Sequence, residues 1–209
     1  MILRSKFSLC FLLACGSFSS SFAAGNLTPV YVQRAEKITG ALSLNDAAKA
    51  ARVRDLVAQQ YQDLSVIHAK RDAAIKAAKE QFSAEKSAAE TAIATAKSVA
   101  GAEQAALHYA FLAKLSVELT PEQIDGVKNG MTYGVLPLTF GVYQKMLPDL
   151  TEEQRKQILA WLTEAREHAM DASTSDEKHG WFGKYKGRIN NYLSKAGIDM
   201  KAAEKNLKK

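Results

Sequence analysis

The part of this chain whose residue types could do chemistry is a run of fourteen residues, 180–193, that reads Gly-Trp-Phe-Gly-Lys-Tyr-Lys-Gly-Arg-Ile-Asn-Asn-Tyr-Leu. It holds four aromatic residues, three cations, three glycines and two asparagines. On a helical wheel, Trp181 and Tyr185 share an edge with Lys184 and Arg188. Aromatic rings can stack on a sugar ring, while fixed cations pair with a carboxylate or sulfate. We therefore predict that these four residues bind a ligand. The alternative is that the rings belong to the core and the cations are solvated.

A second group comprises Glu164, His168 and Asp171, with Trp161 nearby. Their spacing places the two carboxylates and the histidine on one face of a helix. Such a histidine can act as a general base or bind a metal, although a merely salt-bridged histidine at the rim of a core is commoner. His179 follows eleven residues after His168. We predict His168 and His179 as the candidate catalytic residues, and we predict no metal site and no cofactor.

Small residues form a third arc on the same predicted helix. Gly183, Gly187, Asn190 and Ser194 recur at helical spacing. Small side chains let a neighbouring backbone approach closely, so this stripe predicts a close helix–helix contact. No strand and glycine-rich loop precede it, so a nucleotide-binding fingerprint is not supported.

The first 24 residues have the composition of an export signal. Arg4 and Lys6 precede an apolar stretch of eight residues, and a small, polar stretch follows. The apolar stretch is too short to span a bilayer, so we expect no stable membrane insertion and a periplasmic or secreted protein. The alternative is a lipoprotein anchored through Cys15. Both cysteines, Cys10 and Cys15, lie in this segment, which excludes a thiol enzyme or a cysteine-ligated zinc site after simple cleavage.

Positive charge is concentrated at the C-terminal end of the chain. The whole chain has a net charge of +6, and residues 178–209 carry nine Lys or Arg against two acidic residues. A basic end suggests an anionic partner, and we predict an acidic oligosaccharide or a similar anion. A solvated tail that only maintains solubility is the alternative for residues 201–209. We do not expect a nucleic-acid partner, because no recognised binding motif is present.

Helical patterns dominate the chain, and no stretch shows sustained period-two alternation. We predict one all-α domain over residues 25–209, built as a bundle of six to eight helices. Thr120 and Thr151, each followed three positions later by a glutamine, predict capping boxes at two helix starts. The basic C-terminal part should be helical over about 176–209, with Gly197 ending the helix that contains the aromatic run.

The longest predicted feature is a helical hairpin over about 45–119. Asn45 is the expected N-cap of its first helix, and Gly101 is the expected reversal. A heptad pattern of apolar residues predicts lengthwise packing of this helix against a partner. His68 and His108 lie on this hairpin, where we expect surface or edge positions. Residues 131–137 are apolar and are expected to form an extended link.

Four motifs together resemble the bacterial "domain of unknown function 3826" family: Gly130–Pro137, Leu150–Gln154, Glu164–Asp171 and Lys178–Tyr192. The resemblance runs from about residue 31 to residue 200. It implies an exported helical protein of bacteria that degrade complex polysaccharides. It implies no particular activity and no catalytic residue. The Leu-Thr-x-x-Gln units at 119–123 and 150–154 also resemble those of small periplasmic helical chaperones.

Three functions follow from these observations. The first is a non-enzymatic exported module that binds an acidic carbohydrate through the edge formed by Trp181, Lys184, Tyr185 and Arg188. The second is a hydrolase or lyase that acts on polysaccharide fragments, with His168 or His179 as its base. The third is a holdase-type chaperone that uses the long hairpin.

Overall fold

The computed structural model describes residues 27–208, and the predicted export signal, including Cys15, lies outside this range. The described chain is helical, which confirms the all-α class. Its helices are α1 (Pro29–Gly40), α2 (Ala47–Gln81), α3 (Lys86–Glu118), α4 (Pro121–Met131), α5 (Val135–Met146), α6 (Glu152–Met170), α7 (Ser175–Lys195) and α8 (Met200–Ala203), followed by a 3₁₀ helix (Glu204–Lys208). None of the helices in the described range is long and apolar enough to cross a membrane.

Local side-chain chemistry determines where several helices begin. The side chains of Thr120 and Thr151 each accept a hydrogen bond from the backbone N–H of the glutamine three residues later. Each glutamine side chain in turn accepts a hydrogen bond from the threonine backbone N–H, so both predicted capping boxes are confirmed. At the start of α2, the side chain of Asp46 accepts bonds from two backbone N–H groups. Asp46, and not Asn45, is therefore the N-cap of the long hairpin.

The hairpin reverses earlier than Gly101. The turn lies at residues 82–85, between α2 and α3, and Gly101 is an internal residue of α3. A Cβ atom added at Gly101 would contact nothing within 4 Å, so this glycine serves neither a turn nor a close contact. The prediction failed because a helix tolerates an isolated glycine at a cost of about 1 kcal/mol relative to alanine.

The predicted extended link at residues 131–137 is also wrong. Met131 ends α4, a tight turn follows, and α5 begins at Val135. Tyr133 and Gly134 make this turn with successive left-handed conformations, at φ 57° and 67°. Pro137 lies in the first turn of α5, where its missing N–H breaks no helical bond.

The helices surround two apolar clusters. One is built from α1 to α4 and contains Val57, Phe111 and Leu115, while the other is built mainly from α5 to α7 and contains Leu162 and Phe182. Helix α6 contributes to both, because Ala169 belongs to the second cluster and its neighbour Met170 to the first. The C-terminal end of α6 is therefore the place where the two clusters meet.

The core of the second cluster gives a direct test of this packing. Leu162 of α6 is fully buried, whereas Leu138 of α5 is 67% exposed. We expect Leu162→Ala to lower the free energy of unfolding by about 2–5 kcal/mol, because it removes buried methyl groups and leaves a cavity. The matched variant Leu138→Ala should change it by no more than about 0.5 kcal/mol. Urea denaturation of both variants checks this, and equal effects would contradict the assigned burial.

Candidate functional site

The four predicted ligand-binding residues lie on α7 as the helical wheel indicated, but with different exposures. Lys184 and Arg188 are exposed, Trp181 is half-buried, and Tyr185 is buried with 5% of its surface exposed. Burial, together with a hydrogen bond to Glu164, raises the pKa of Tyr185 to about 12. Tyr185 therefore supports this surface from below, while the other three side chains reach solvent.

Trp161 of α6 completes the surface. The guanidinium carbon of Arg188 lies 4.6 Å from the centre of the Trp161 ring, and Lys184 Nζ lies 5.0 Å from the centre of the Trp181 ring. Tyr192 packs edge-on against Trp161, with ring centres 5.3 Å apart. The sequence placed Trp161 beside the histidine group. The structure places it with the cations of α7 because α6 and α7 pack side by side.

A groove of about 630 Å³ runs along this surface, which we call the α6–α7 groove. Its lining residues are Trp161, Lys184, Gly187, Arg188, Asn191, Tyr192 and Lys195. Three of these are cations, and none is a carboxylate. Glu164 approaches Arg188 from beside the groove, with 3.6 Å between a carboxylate oxygen and a guanidinium nitrogen.

The predicted close contact along the glycine stripe is wrong. A Cβ atom added at Gly183 or Gly187 would meet nothing within 4 Å, so no neighbouring helix approaches them. Asn190 instead accepts a hydrogen bond from the Tyr143 hydroxyl, at 2.6 Å. Gly126 and Gly130 of α4 do allow a close approach. An added Cβ would lie 2.6 Å from Leu42, in the turn after α1, at Gly126 and 2.8 Å from Ile38 of α1 at Gly130.

The two candidate catalytic histidines contact different partners. His168 stacks on Trp181 with ring centres 4.3 Å apart, whereas His179 stacks on Tyr133 at 6.0 Å. His179 and Trp181 are two positions apart on α7, which turns them about 200° from each other. The structure therefore does not bring His168 and His179 to one pocket, and their catalytic role stays a prediction.

The group of Glu164, His168 and Asp171 is likewise divided among separate partners. Asp171 lies 2.8 Å from Nδ1 of His108, an α3 residue that the sequence placed at the surface or edge. Within the described residues, no group of three or more histidine, cysteine or acidic side chains is arranged to hold a metal ion.

His68 and His108 connect the hairpin to the end of α6. The buried His68 contradicts the predicted surface or edge position, whereas the partly buried His108 fits an edge position. His68 is 6% exposed, and Gln104 links it to the backbone carbonyl of Asp171 through contacts of 2.9 and 3.0 Å. His108 also faces Glu167, at 3.5 Å. Pairing over such long sequence separations leaves no local pattern.

This pairing shifts two pKa values in opposite directions. Hydrogen bonds to Asp171 and Glu167 raise the pKa of His108 to about 9, so its imidazole is cationic at neutral pH. Burial alone would raise the pKa of Glu167, but hydrogen bonds from His108 and Lys128 outweigh it and lower the value to about 2. The result is a stable ion pair between α3 and α6 across the neutral range.

Two buried cations were missed from the sequence. Arg166 of α6 is 4% exposed and donates to Asp125, Asn129 and Glu167. Lys178 of α7 is 6% exposed, and its Nζ donates to the carbonyls of Ala169 and Met170 at 3.0 and 3.1 Å.

Lys178 had a detectable signal in the sequence. It continues the apolar stripe of α7 one turn before Phe182, a position that faces the core. Burial lowers its pKa to about 8.

The comparisons with known proteins agree with the motifs. A family model described as "Protein of unknown function (DUF3826)" matches residues 28–209. The chain belongs to this family. A comparison with curated proteins finds no match. Membership therefore accounts for the helical domain and its motifs, and the family description assigns no activity.

The ion pair of His108 predicts a dependence of stability on pH. Because the folded-state pKa lies above the ordinary value of 6.5, the stabilisation is complete below about pH 6.5 and is lost as pH rises through about 9. His108→Gln should lower the free energy of unfolding at pH 6 by about 1–2 kcal/mol, allowing for partial solvent screening.

Urea denaturation of wild type and His108→Gln at pH 6 and pH 9.5 measures this effect. The difference in free energy of unfolding between the two proteins should shrink at the higher pH. Other titrating groups, such as Lys178, are present in both proteins, so their effect cancels in this difference. A constant difference across this range would contradict the assigned ion pair.

Proposed function

We propose that this protein is a non-enzymatic, exported helical module that binds an acidic carbohydrate in the α6–α7 groove. The observation that supports it best is one groove lined by three cations together with the Trp161 and Tyr192 rings, and by no carboxylate. Apolar ring faces and a row of cations are the two features that an acidic sugar requires from a protein surface.

The cations of the groove are available to a ligand. Arg188 is 55% exposed, and its contact with Glu164 is a surface ion pair. Such pairs contribute about 0–1 kcal/mol, so a ligand carboxylate can replace Glu164 at little cost. A planar guanidinium can donate two parallel hydrogen bonds to that carboxylate. The Trp161 ring beneath it holds the guanidinium at the groove, with 4.6 Å between the guanidinium carbon and the ring centre.

Gly187 keeps the groove open. It lines the groove between Lys184 and Arg188, and an added Cβ would have free space around it. Any larger side chain at this position would therefore project into the groove without striking the protein. An open groove therefore accounts for glycine at position 187, whereas a close helix–helix contact does not.

The groove also favours binding over the two alternatives. A hydrolase or lyase needs its base at the ligand, and neither His168 nor His179 lines the α6–α7 groove. A holdase would use the hairpin, whose apolar residues face α1 and α4 in the first cluster near its base. The proposed export of the module, and its proposed setting in polysaccharide utilisation, rest on the sequence pattern and the family resemblance.

We expect Arg188→Gln to weaken binding of acidic oligosaccharides by about 10- to 100-fold, because it removes a charged hydrogen-bond donor. Arg52→Gln is the matched control, since Arg52 is 54% exposed, is paired with Glu118 and does not line the groove. Calorimetric titration with oligogalacturonates and sulfated oligosaccharides, and with neutral oligosaccharides of equal length, measures the effect. Absence of binding by wild type, or equal affinities of both variants, would refute the proposal. Shortened oligosaccharides after incubation with the protein would show that it is an enzyme.

Filling the groove tests its position without removing a charge. Gly187→Leu should abolish binding of the same oligosaccharides and raise thermal stability slightly, because leucine has the higher helix propensity. Gly101→Leu in α3 places the same residue at another unobstructed helical glycine and should leave affinity unchanged. Unchanged affinity in Gly187→Leu would show that the oligosaccharide binds outside the α6–α7 groove.

A further inference from the structure

A second concavity is lined in part by the turn between α6 and α7. It measures about 540 Å³ and shares no lining residue with the α6–α7 groove. We call it the α1–α7 cavity, since α1, α2, the turn before α5 and the start of α7 enclose it. Its volume is within the range of about 300–1,000 Å³ that is usual for small-molecule sites.

The charged residues that line this cavity are all of one sign. Arg34, Lys37 and Lys178 line it, and no aspartate or glutamate does. The charge of Arg34 contributes to the lowered pKa of Lys178, so the two cations are close enough to repel each other. No ion pair of Arg34 or Lys37 with a carboxylate is found within the described range.

The two carboxylates whose charge acts on Lys178 are engaged elsewhere. Asp171 and Glu177 act on Lys178 only through their charge. Asp171 is paired with His108, and Glu177 accepts hydrogen bonds from Ser173. The positive charge of the cavity is therefore not neutralised by the protein residues that line it.

Lys178 has one hydrogen-bond donor left over. An ammonium group carries three N–H donors, and two of them go to the carbonyls of Ala169 and Met170. A buried ammonium that contacts only neutral carbonyls gains from an anion placed beside it, because burial in a medium of low polarity strengthens the attraction.

Aromatic rings form the remaining walls. Tyr31 and Tyr61 stack with ring centres 6.0 Å apart, and Arg34 lies about 6 Å from each ring. Burial raises the pKa of Tyr61 to about 12, so its phenol stays protonated and can donate a hydrogen bond.

Tyr133 closes the cavity from the turn before α5. It is 56% exposed and has a left-handed backbone, at φ 57°. Asparagine or glycine adopts this conformation more readily than tyrosine. Within the fold the Tyr133 ring contacts His179, with 6.0 Å between ring centres, and more than half of its surface stays exposed for a ligand in the cavity.

We propose that the α1–α7 cavity is a binding site for a small cyclic organic anion. Its acidic group lies between Arg34 and Lys178, and its ring lies between Tyr133 and the Tyr31–Tyr61 pair. A carboxylate and a phosphate ester share this chemistry. The proposal does not depend on the α6–α7 groove, since the two sites have separate lining residues.

Two substitutions test the cavity without disturbing the buried Lys178. Arg34→Gln removes an exposed cation, and Tyr133→Asn removes the ring while suiting the left-handed backbone. We expect each to weaken binding at least 10-fold, with the thermal midpoint unchanged for Arg34→Gln and unchanged or raised for Tyr133→Asn. A residue with a merely structural role would not combine lost affinity with retained or higher stability. Arg52→Gln and Tyr109→Asn are the matched controls, at exposed positions that do not line the cavity.

The probes for calorimetric titration are glucuronate, glucose 6-phosphate and 4-hydroxybenzoate, with glucose as the uncharged comparison. Binding of at least one anionic probe, weakened by both cavity variants but by neither control nor Arg188→Gln, supports the proposal. The anionic probe that binds most tightly then shows whether the cavity prefers a carboxylate or a phosphate on the ring. Failure of all three anions to bind, equal binding of glucose, or full affinity in Arg34→Gln overturns it.

Discussion

The carbonyl groups at the C-terminal end of α6 need hydrogen-bond donors, and most of the architecture depends on how they obtain them. A helix leaves its last four carbonyls without partners inside the helix. Lys178 reaches back from α7 to two of them, and Gln104 of α3 donates to the carbonyl that follows at Asp171. These contacts fix the direction in which α7 leaves the turn. They also hold the hairpin against the point where the two apolar clusters meet, so packing of one cluster constrains the other.

Helix α7 consequently presents three different environments around one axis. Phe182, Ile189 and Leu193 face the core. Lys184 and Arg188 face the α6–α7 groove, and Lys178 faces the α1–α7 cavity. The core and groove environments account for the density of residue types in the run 180–193. The two concavities differ in kind: the groove is open and suits an extended chain, while the cavity is enclosed by tyrosines and suits a single ring.

The sequence predicted those features that depend on neighbouring residues. The helices, both threonine capping boxes and the arcs of α7 follow from spacing and local hydrogen bonding. Features that depend on distant residues were not predictable. His108 pairs with Asp171 across 63 positions, and no periodicity distinguishes it from a surface histidine. The glycine stripe was misread because spacing shows that residues share a face but not what that face meets. The left-handed Tyr133 was missed because a lone tyrosine carries no turn signal.

The exposed glycines of α7 lower the local stability of the helix beside the groove. Gly180, Gly183 and Gly187 all lie in the helix with open space around them, and each forgoes about 1 kcal/mol relative to alanine. Three such positions within eight residues amount to about 3 kcal/mol of local helix stability, against a typical 5–15 kcal/mol for a whole domain. The helical turns that carry Lys184 and Arg188 therefore open more readily than their buried face would suggest. Phe182 and Ile189, both fully buried, anchor the helix beneath these turns.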